Sequence, residues 1–95
     1  MNIDLIKTKK GNALGIKIPL QKKSLILILG EKGYLACSYF DKETIEKLGD
    51  CAALFSGVED FGDILKKKPT YVSQKALKLG VDYNMKGKDI LEVFV

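Results

Sequence analysis

The sequence predicts an α+β fold, in which an antiparallel-rich mixed sheet of about five strands carries three to four short helices, packed mainly on one face. Two observations support this class. Strand patterns fill the first half of the chain, whereas capped helical patterns dominate the second half. A chain of 95 residues has the length of one domain. We therefore expect a single domain over residues 1–95.

The first half contains four predicted strands joined by short turns, an arrangement typical of an antiparallel meander. They are the segments NIDLIKT, ALGIKIPL, SLILIL and YLACSYF. ALGIKIPL alternates between large aliphatic residues on one face and small or polar residues on the other, which predicts a half-buried strand. Its aliphatic face is formed by Leu14, Ile16, Ile18 and Leu20. SLILIL is apolar on both faces and is therefore expected to be internal and covered on both sides.

The second half reads as helices with one strand among them. A helix is predicted between Asp41, a typical N-cap residue, and Gly49, a typical C-terminal glycine. The apolar segment CAALFSG then predicts a buried strand. The loop and helix between YLACSYF and CAALFSG are long enough for a parallel crossover between neighbouring strands. Further helices are predicted at residues 60–68, 73–80 and 87–94.

The residue types that are absent disfavour several common functions. The chain has no histidine, which excludes a Ser-His-Asp triad, a Cys-His pair and a zinc site that needs histidine. All 16 positively charged side chains are lysine, so the bidentate hydrogen bonds that arginine makes to phosphate or guanine are not available. No glycine-rich nucleotide-binding motif is present. We therefore expect no cofactor and no metal.

The location of the protein is expected to be cytoplasmic. The N-terminus contains Asp4 and no long apolar region, so it does not read as a signal peptide. The longest apolar run, Leu25 to Leu29, is too short to cross a bilayer. In a reducing compartment the two cysteines, Cys37 and Cys51, are expected to be free thiols.

Motifs spread along the chain resemble the YunC-like family, small bacterial and archaeal proteins of unknown function. They run in order as ALGIKIPL, GYLACSYFD, LGDCAALFSGV, DFGDIL, VSQKALKLGV and MKGKDIL. The resemblance covers about residues 13 to 91 and implies an α+β domain without an established activity. Its motif positions are the candidate binding residues Gly33, Tyr34, Cys37, Asp41, Asp50 and Gly57. Lys86 stands where the family has a capping serine, so the last helix should lose a cap worth about 1 kcal/mol.

Cys37 is the sole candidate for a catalytic residue, and it is a weak one. A reactive thiolate needs a histidine, a nearby cation or a helix N-terminus. Histidine is absent, and the helix that starts nearby carries the acids Asp41 and Glu43. Leu35 lies on the same face as Cys37, which favours a buried, inert thiol. We then expect Cys37→Ser to cost about 1–3 kcal/mol and Cys37→Ala to cost less.

Two acids, Asp41 and Asp50, are expected at opposite ends of the two crossover strands, so they should not form a catalytic carboxylate pair. Asp41 reads as a helix cap and Asp50 as a turn residue.

Three classes of function are compatible with these observations. The first is a small soluble binding or interaction module, whose partner is a second copy, another protein or a small ligand. The second is a thiol-dependent enzyme or redox protein centred on Cys37. The third is a weak non-specific nucleic-acid binder, which the formal charge of +4 would allow. We expect no specific nucleic-acid binding, none tighter than micromolar at physiological salt, and no membrane association.

Overall fold

The fold is a six-stranded mixed sheet with four helices, given by a computed structural model that describes residues 1–95. The strands are β1 (Asn2–Lys7), β2 (Asn12–Pro19), β3 (Ser24–Leu29), β4 (Tyr34–Cys37), β5 (Ala52–Phe55) and β6 (Tyr71–Val72). The helices are α1 (Lys42–Leu48), α2 (Phe61–Lys66), α3 (Gln74–Lys78) and α4 (Gly87–Phe94). The predicted α+β class is confirmed. The additional strand is β6, whose two residues are too few to produce a detectable alternation.

The strands lie side by side in chain order from β1 to β6. All neighbours are antiparallel except β4 and β5, which are parallel, with Tyr34 opposite Ala52 and Cys37 opposite Phe55. The predicted meander, the internal position of β3 and the parallel crossover through α1 are therefore confirmed. β4 is shorter than predicted, because the chain turns after Cys37 and the Phe40 backbone N–H donates to the Cys37 carbonyl at 3.2 Å.

Local capping chemistry sets where the helices begin and end. Asp41, Asp60 and Ser73 each accept a hydrogen bond from the backbone N–H three residues later. Lys86 precedes α4 and makes no such bond, in agreement with the missing cap serine. Gly49 ends α1 with a φ of 72°, a conformation that glycine adopts without strain. None of the four helices has the length and apolar character needed to span a membrane.

The main core lies between one face of the sheet and helices α2, α3 and α4. Its fully buried side chains include Ile28 and Phe55 from the strands, and Ile64 and Phe94 from the helices. A smaller cluster lies on the other face, where Ile45 of α1 packs over residues of β4 and β5. Three of the four helices therefore lie on one face of the sheet.

The half-buried character predicted for β2 is confirmed, and it is the side with the small residues that meets the main core. Its small residues, Ala13 and Gly15, point towards the main core, whereas Leu14, Ile16 and Ile18 lie on the opposite face and are only half-buried. A Cβ at Gly15 would lie 2.9 Å from the side chains of both Ile6 and Phe61. The close packing of Ile6 and Phe61 thus favours a residue without a side chain at position 15.

The expectation that β3 is covered on both faces is wrong in part. Ile26 and Ile28 are fully buried on the helix-covered face. On the other face, Leu27 is half-buried and Leu29 is exposed. β3 is therefore internal in the sheet but well covered on one face only.

Candidate functional site

The motif positions found in the sequence lie at the two ends of the parallel β4–β5 pair. Gly33, Tyr34 and Asp50 lie where the two strands begin. The other three, Cys37, Asp41 and Gly57, lie where the strands end or just beyond. Asp41 and Asp50 are consequently at opposite ends, as expected from the crossover. The six positions form two separate groups and not one site.

Cys37 is buried in the main core, with 4% of its surface exposed. Its Sγ accepts a hydrogen bond from the backbone N–H of Ile26 at 3.3 Å. Backbone pairing between β3 and β4 ends at Leu27 opposite Ala36. The next residue of β3, Ile26, donates its backbone N–H to the Cys37 thiol instead of to a carbonyl of β4. This contact gives Cys37 a structural role as a hydrogen-bond acceptor at the end of the ladder.

Asp41 and Gly57 shape the loops that follow β4 and β5. The Asp41 carboxylate accepts hydrogen bonds from the hydroxyl and the backbone N–H of Thr44, at 2.9 and 3.1 Å. Both hydrogen bonds from Thr44 lower the pKa of the Asp41 carboxyl, and the bond from the hydroxyl has the larger effect. Gly57 has a φ of 67°, and its carbonyl accepts from Lys67 Nζ at 2.8 Å. Both residues therefore stabilise the loops in which they lie, and neither lines a pocket.

A pocket of about 440 Å³ lies at the end where β4 and β5 begin. Five residues line it: Lys32, Cys51, Lys75, Lys78 and Leu79. We call it the lysine pocket. Lys32 comes from the turn between β3 and β4, Cys51 directly precedes β5, and the other three belong to α3 and its C-terminal end. Its volume falls within the range of roughly 300–1,000 Å³ typical of small-molecule sites.

Backbone contacts hold Lys32 at this pocket. The Lys32 backbone N–H donates to the Phe94 carbonyl at 2.6 Å, and the Tyr34 N–H donates to the Cys51 carbonyl at 3.1 Å. A Cβ at Gly33 would lie 2.7 Å from that same Cys51 oxygen and 3.0 Å from Cys51 Sγ. Gly33 is therefore required by the close approach of the turn to Cys51.

Tyr34 and Asp50 form a hydrogen-bonded pair next to Cys51 in the fold. The Tyr34 hydroxyl donates to Asp50 Oδ2 at 2.7 Å. The pKa of Tyr34 is raised above the ordinary value of 10.0, mainly by burial and to a smaller extent by the hydrogen bond to Asp50 and the negative charge of Asp50. A further acid, Glu46, accepts from the Gln74 backbone N–H at 3.1 Å. Both carboxylates are thus engaged by groups outside the lining of the lysine pocket.

Cys51 lines the pocket as a neutral thiol. Its partial burial raises its pKa, and the nearby charge of Lys75 lowers it by a smaller amount. Since the thiolate is the nucleophilic form, this balance disfavours covalent chemistry at neutral pH. The side chain instead contributes a weakly polar surface to the pocket.

The lysine pocket was missed by sequence reasoning because no local pattern marks it. Lys75 and Lys78 look like the solvated side of a short helix, and Lys32 looks like a turn residue. Sheet pairing of β4 with β5, and the packing of α3 beside β5, bring them together. No group of three or more cysteine, aspartate or glutamate side chains is placed to hold a metal ion.

A second, smaller depression of about 250 Å³ lies near the turn between β2 and β3. It is lined by Lys17, Lys22, Lys23, Ser24 and Glu59. The Lys23 ammonium group donates to Ser38 Oγ at 3.4 Å and lies 5.6 Å from the centre of the Tyr39 ring. Because it includes an acid and an engaged lysine, this depression is a weaker anion site than the lysine pocket.

The stability of the protein is expected to fall at alkaline pH in a way that depends on Tyr34. The pKa of Tyr34 is higher in the folded than in the unfolded protein. The neutral Tyr34 side chain therefore makes its full contribution to stability at pH values below the unfolded pKa. That contribution is lost as the pH rises above about 10, towards the higher folded-state pKa. Urea unfolding between about pH 8 and 11 should therefore show a steeper loss of stability in the wild type than in Tyr34→Phe.

Tyr39→Phe is the matched control for this comparison, since Tyr39 is an exposed tyrosine. It should keep the steep dependence of the wild type. Equal slopes in the wild type and in Tyr34→Phe would contradict the role of the Tyr34–Asp50 pair.

Comparison with known proteins identifies relatives whose function is unknown. A family model described as a domain of unknown function (DUF1805) matches residues 36–94. Among solved structures, the crystal structure of TA1206, a protein of unknown function from Thermoplasma acidophilum, has 31% sequence identity and a TM-score of 0.94. The alignment covers 99% of this chain and 92% of that chain. A search of curated proteins found no match.

Proposed function

Because this chain belongs to a family of domains of unknown function (DUF1805), we propose its function from its own geometry: it is a binding domain for a small anion at the lysine pocket. The ligand would carry a carboxylate or phosphate group. The observation that carries this proposal is the convergence of three lysine side chains on one pocket of about 440 Å³.

Electrostatics favour an anion at this position. Lysines from separate elements line the pocket without a carboxylate among the lining residues. Like charges that face a common space repel one another, and an anion between them turns this repulsion into attraction. Lys75 and Lys78 also lie in the last turn of α3, where positive charge stabilises a helix end. That explanation does not account for Lys32, which belongs to a different element.

The residue types also limit the mode of binding. Lysine binds an anion as a point charge, without the bidentate hydrogen-bond geometry of arginine. The affinity should therefore depend on ionic strength more than on the shape of the anionic group. Leu79 offers an apolar contact at the same pocket, which favours a ligand with a small apolar part.

The alternative of a thiol-dependent enzyme receives no support from either cysteine. Cys37 is buried and engaged with Ile26, and burial raises the pKa of Cys51. Weak nucleic-acid binding by the lysine-rich surface stays a prediction, and we continue to expect none tighter than micromolar at physiological salt.

We also propose that the YunC-like proteins belong to this same family. The motifs that carry that resemblance span about residues 13 to 91, and the matched segment, residues 36–94, lies largely within them. A cytoplasmic location is part of the proposal and is supported by the two free thiols.

Titration with simple anions tests the proposed function. Isothermal titration calorimetry at about 0.1 M ionic strength, with pyrophosphate and citrate as probes, should detect binding to the wild type. Lys75→Gln and Lys78→Gln should each weaken it about fivefold, because one unit-charge interaction in a solvated site is worth about 1 kcal/mol. Added salt should weaken it further.

Lys88→Gln is the matched control, since it removes the same charge from an exposed position of α4 outside the pocket. It should change the affinity by less than about twofold, because Lys88 does not line the pocket and interactions with more distant exposed charges are weakened by screening. Equal weakening by Lys88→Gln would indicate general charge attraction and would contradict a site at the pocket. So would the absence of binding for both anions.

A further inference from the structure

One face of the sheet is aliphatic and has no helix over its first three strands. On this face α1 packs over β4 and β5, and the remaining helices lie on the opposite face. Two rows of side chains cross β1, β2 and β3 in register: Ile3–Ile16–Leu27 and Leu5–Leu14–Leu29. We call these six residues the open face.

The open face is unusual for a sheet surface in contact with water. Leu5 is 70% exposed, Ile3 and Leu29 are exposed, and the other three are half-buried. Antiparallel sheets with one solvated face normally carry polar residues there. β2 instead places its small residues towards the core and its large aliphatic residues outwards. Such a contiguous apolar patch typically marks an interaction surface.

The size of the open face is that of a small protein interface. Three strands spaced by about 4.8 Å are about 14 Å wide, and a strand with a rise of about 3.4 Å per residue reaches about 27 Å over the eight residues of β2. The flat area is then roughly 400 Å². Because side chains project from it, the accessible area is somewhat larger than this flat area, so two copies would bury roughly 1,000 Å² in total, the lower end of specific interfaces.

The chemistry of the open face points to a second copy of this chain. The centre of the face has no charged residue, so two positively charged copies can meet there without burying like charges. Lys7 lies at the end of the face, opposite Asn12, where its ammonium group can remain in water. A two-fold interface uses the same patch twice, and a flat aliphatic sheet is complementary to an identical sheet packed about 10 Å away.

We propose that the open face is the interface of a homodimer in which two sheets pack face to face. The β1–β3 region of each copy would be covered by the β1–β3 region of the other. This surface is separate from the lysine pocket, and the dimer does not depend on the proposed ligand.

Sedimentation velocity or light scattering tests the dimer directly. The wild type is expected at twice the 10.5 kDa of the chain at micromolar concentration. Leu5→Glu should weaken association at least tenfold, because it places a charge within the buried interface. The side chain is already largely exposed in a single copy, so the fold should be unaffected, which far-UV circular dichroism would verify.

Leu48→Glu is the matched control, because Leu48 is also 70% exposed but lies on α1 outside the open face. It should leave the dimer intact. Leu29→Glu should also give a monomer. Leu29 is on β3, two strands away from the free edge of β1, so a dimer that paired through this edge would tolerate the change.

A wild type that stays monomeric at these concentrations would overturn the proposal, even if another protein were found to cover the face. Retention of the dimer in Leu5→Glu or in folded Leu29→Glu would also overturn it. Monomers in both of these variants, together with a dimer in Leu48→Glu, would support it.

Discussion

Gly87→Ala is expected to destabilise the protein by about 3 kcal/mol or more. Gly87 is the first residue of α4 and lies against the backbone of α2. A Cβ here would overlap the carbonyl oxygen of Ile64 and lie 2.8 Å from its carbonyl carbon. The Gly87 N–H also donates to the Lys67 carbonyl at 2.9 Å. Since both neighbours are backbone, the added methyl group can be accommodated only if the two helices move apart.

Gly62→Ala is the matched control for this prediction. Gly62 lies within α2, and a Cβ there would have Asp60 Oδ1 as its nearest neighbour at 3.4 Å. Alanine is the better helix former by up to about 1 kcal/mol, so this variant should be neutral or slightly more stable. Urea unfolding of both variants measures the difference. Similar stabilities for the two would contradict the close contact between α2 and α4.

The second large effect is expected at Cys37, where Cys37→Ala should cost more than Cys37→Ser. Alanine removes the acceptor of the Ile26 N–H, and Ile26 is fully buried. A buried donor left without a partner costs about 1–3 kcal/mol, and the small cavity adds to this. Serine retains an oxygen that can accept from the same N–H. This order is the reverse of the one expected from the sequence.

Urea unfolding of the two Cys37 variants measures this order. Cys51→Ala provides a control, because Cys51 is only half-buried and should respond less. In a Cys51→Ala background, thiol labelling of Cys37 should also be far slower in the native than in the denatured protein. A smaller loss of stability in Cys37→Ala than in Cys37→Ser, or fast labelling of Cys37 in the native protein, would contradict the structural role of the thiol.

The separation of the motif positions explains why a single site could not be derived from the sequence. Gly33 directly precedes β4, and Cys37, four positions later, is its last residue, so they serve opposite ends of that strand. Gly33 permits the close contact with Cys51 at the pocket, whereas Cys37 completes the β3–β4 ladder in the core.

The sequence by itself determined most of the elements of this protein and their connections, with the two-residue strand β6 as the exception. The caps at Asp41 and Ser73, the glycine that ends α1, and the meander followed by a crossover all follow from residues a few positions apart. Such features depend on local hydrogen bonds and on loop length, which is why they can be predicted without knowledge of the packing.

Tertiary structure decided which face of each strand is covered and which lysines meet. Alternation along β2 distinguishes two faces but does not say which one the helices cover. That choice depends on how closely Phe61 and Ile6 pack against Gly15, where a Cβ would lie 2.9 Å from each of their side chains. Lys32 and Lys75 come together for a similar reason, because the pairing of β4 with β5 and the packing of α3 beside β5 place distant segments at one pocket. These outcomes depend on the mutual packing of whole elements, which no short stretch of the chain encodes.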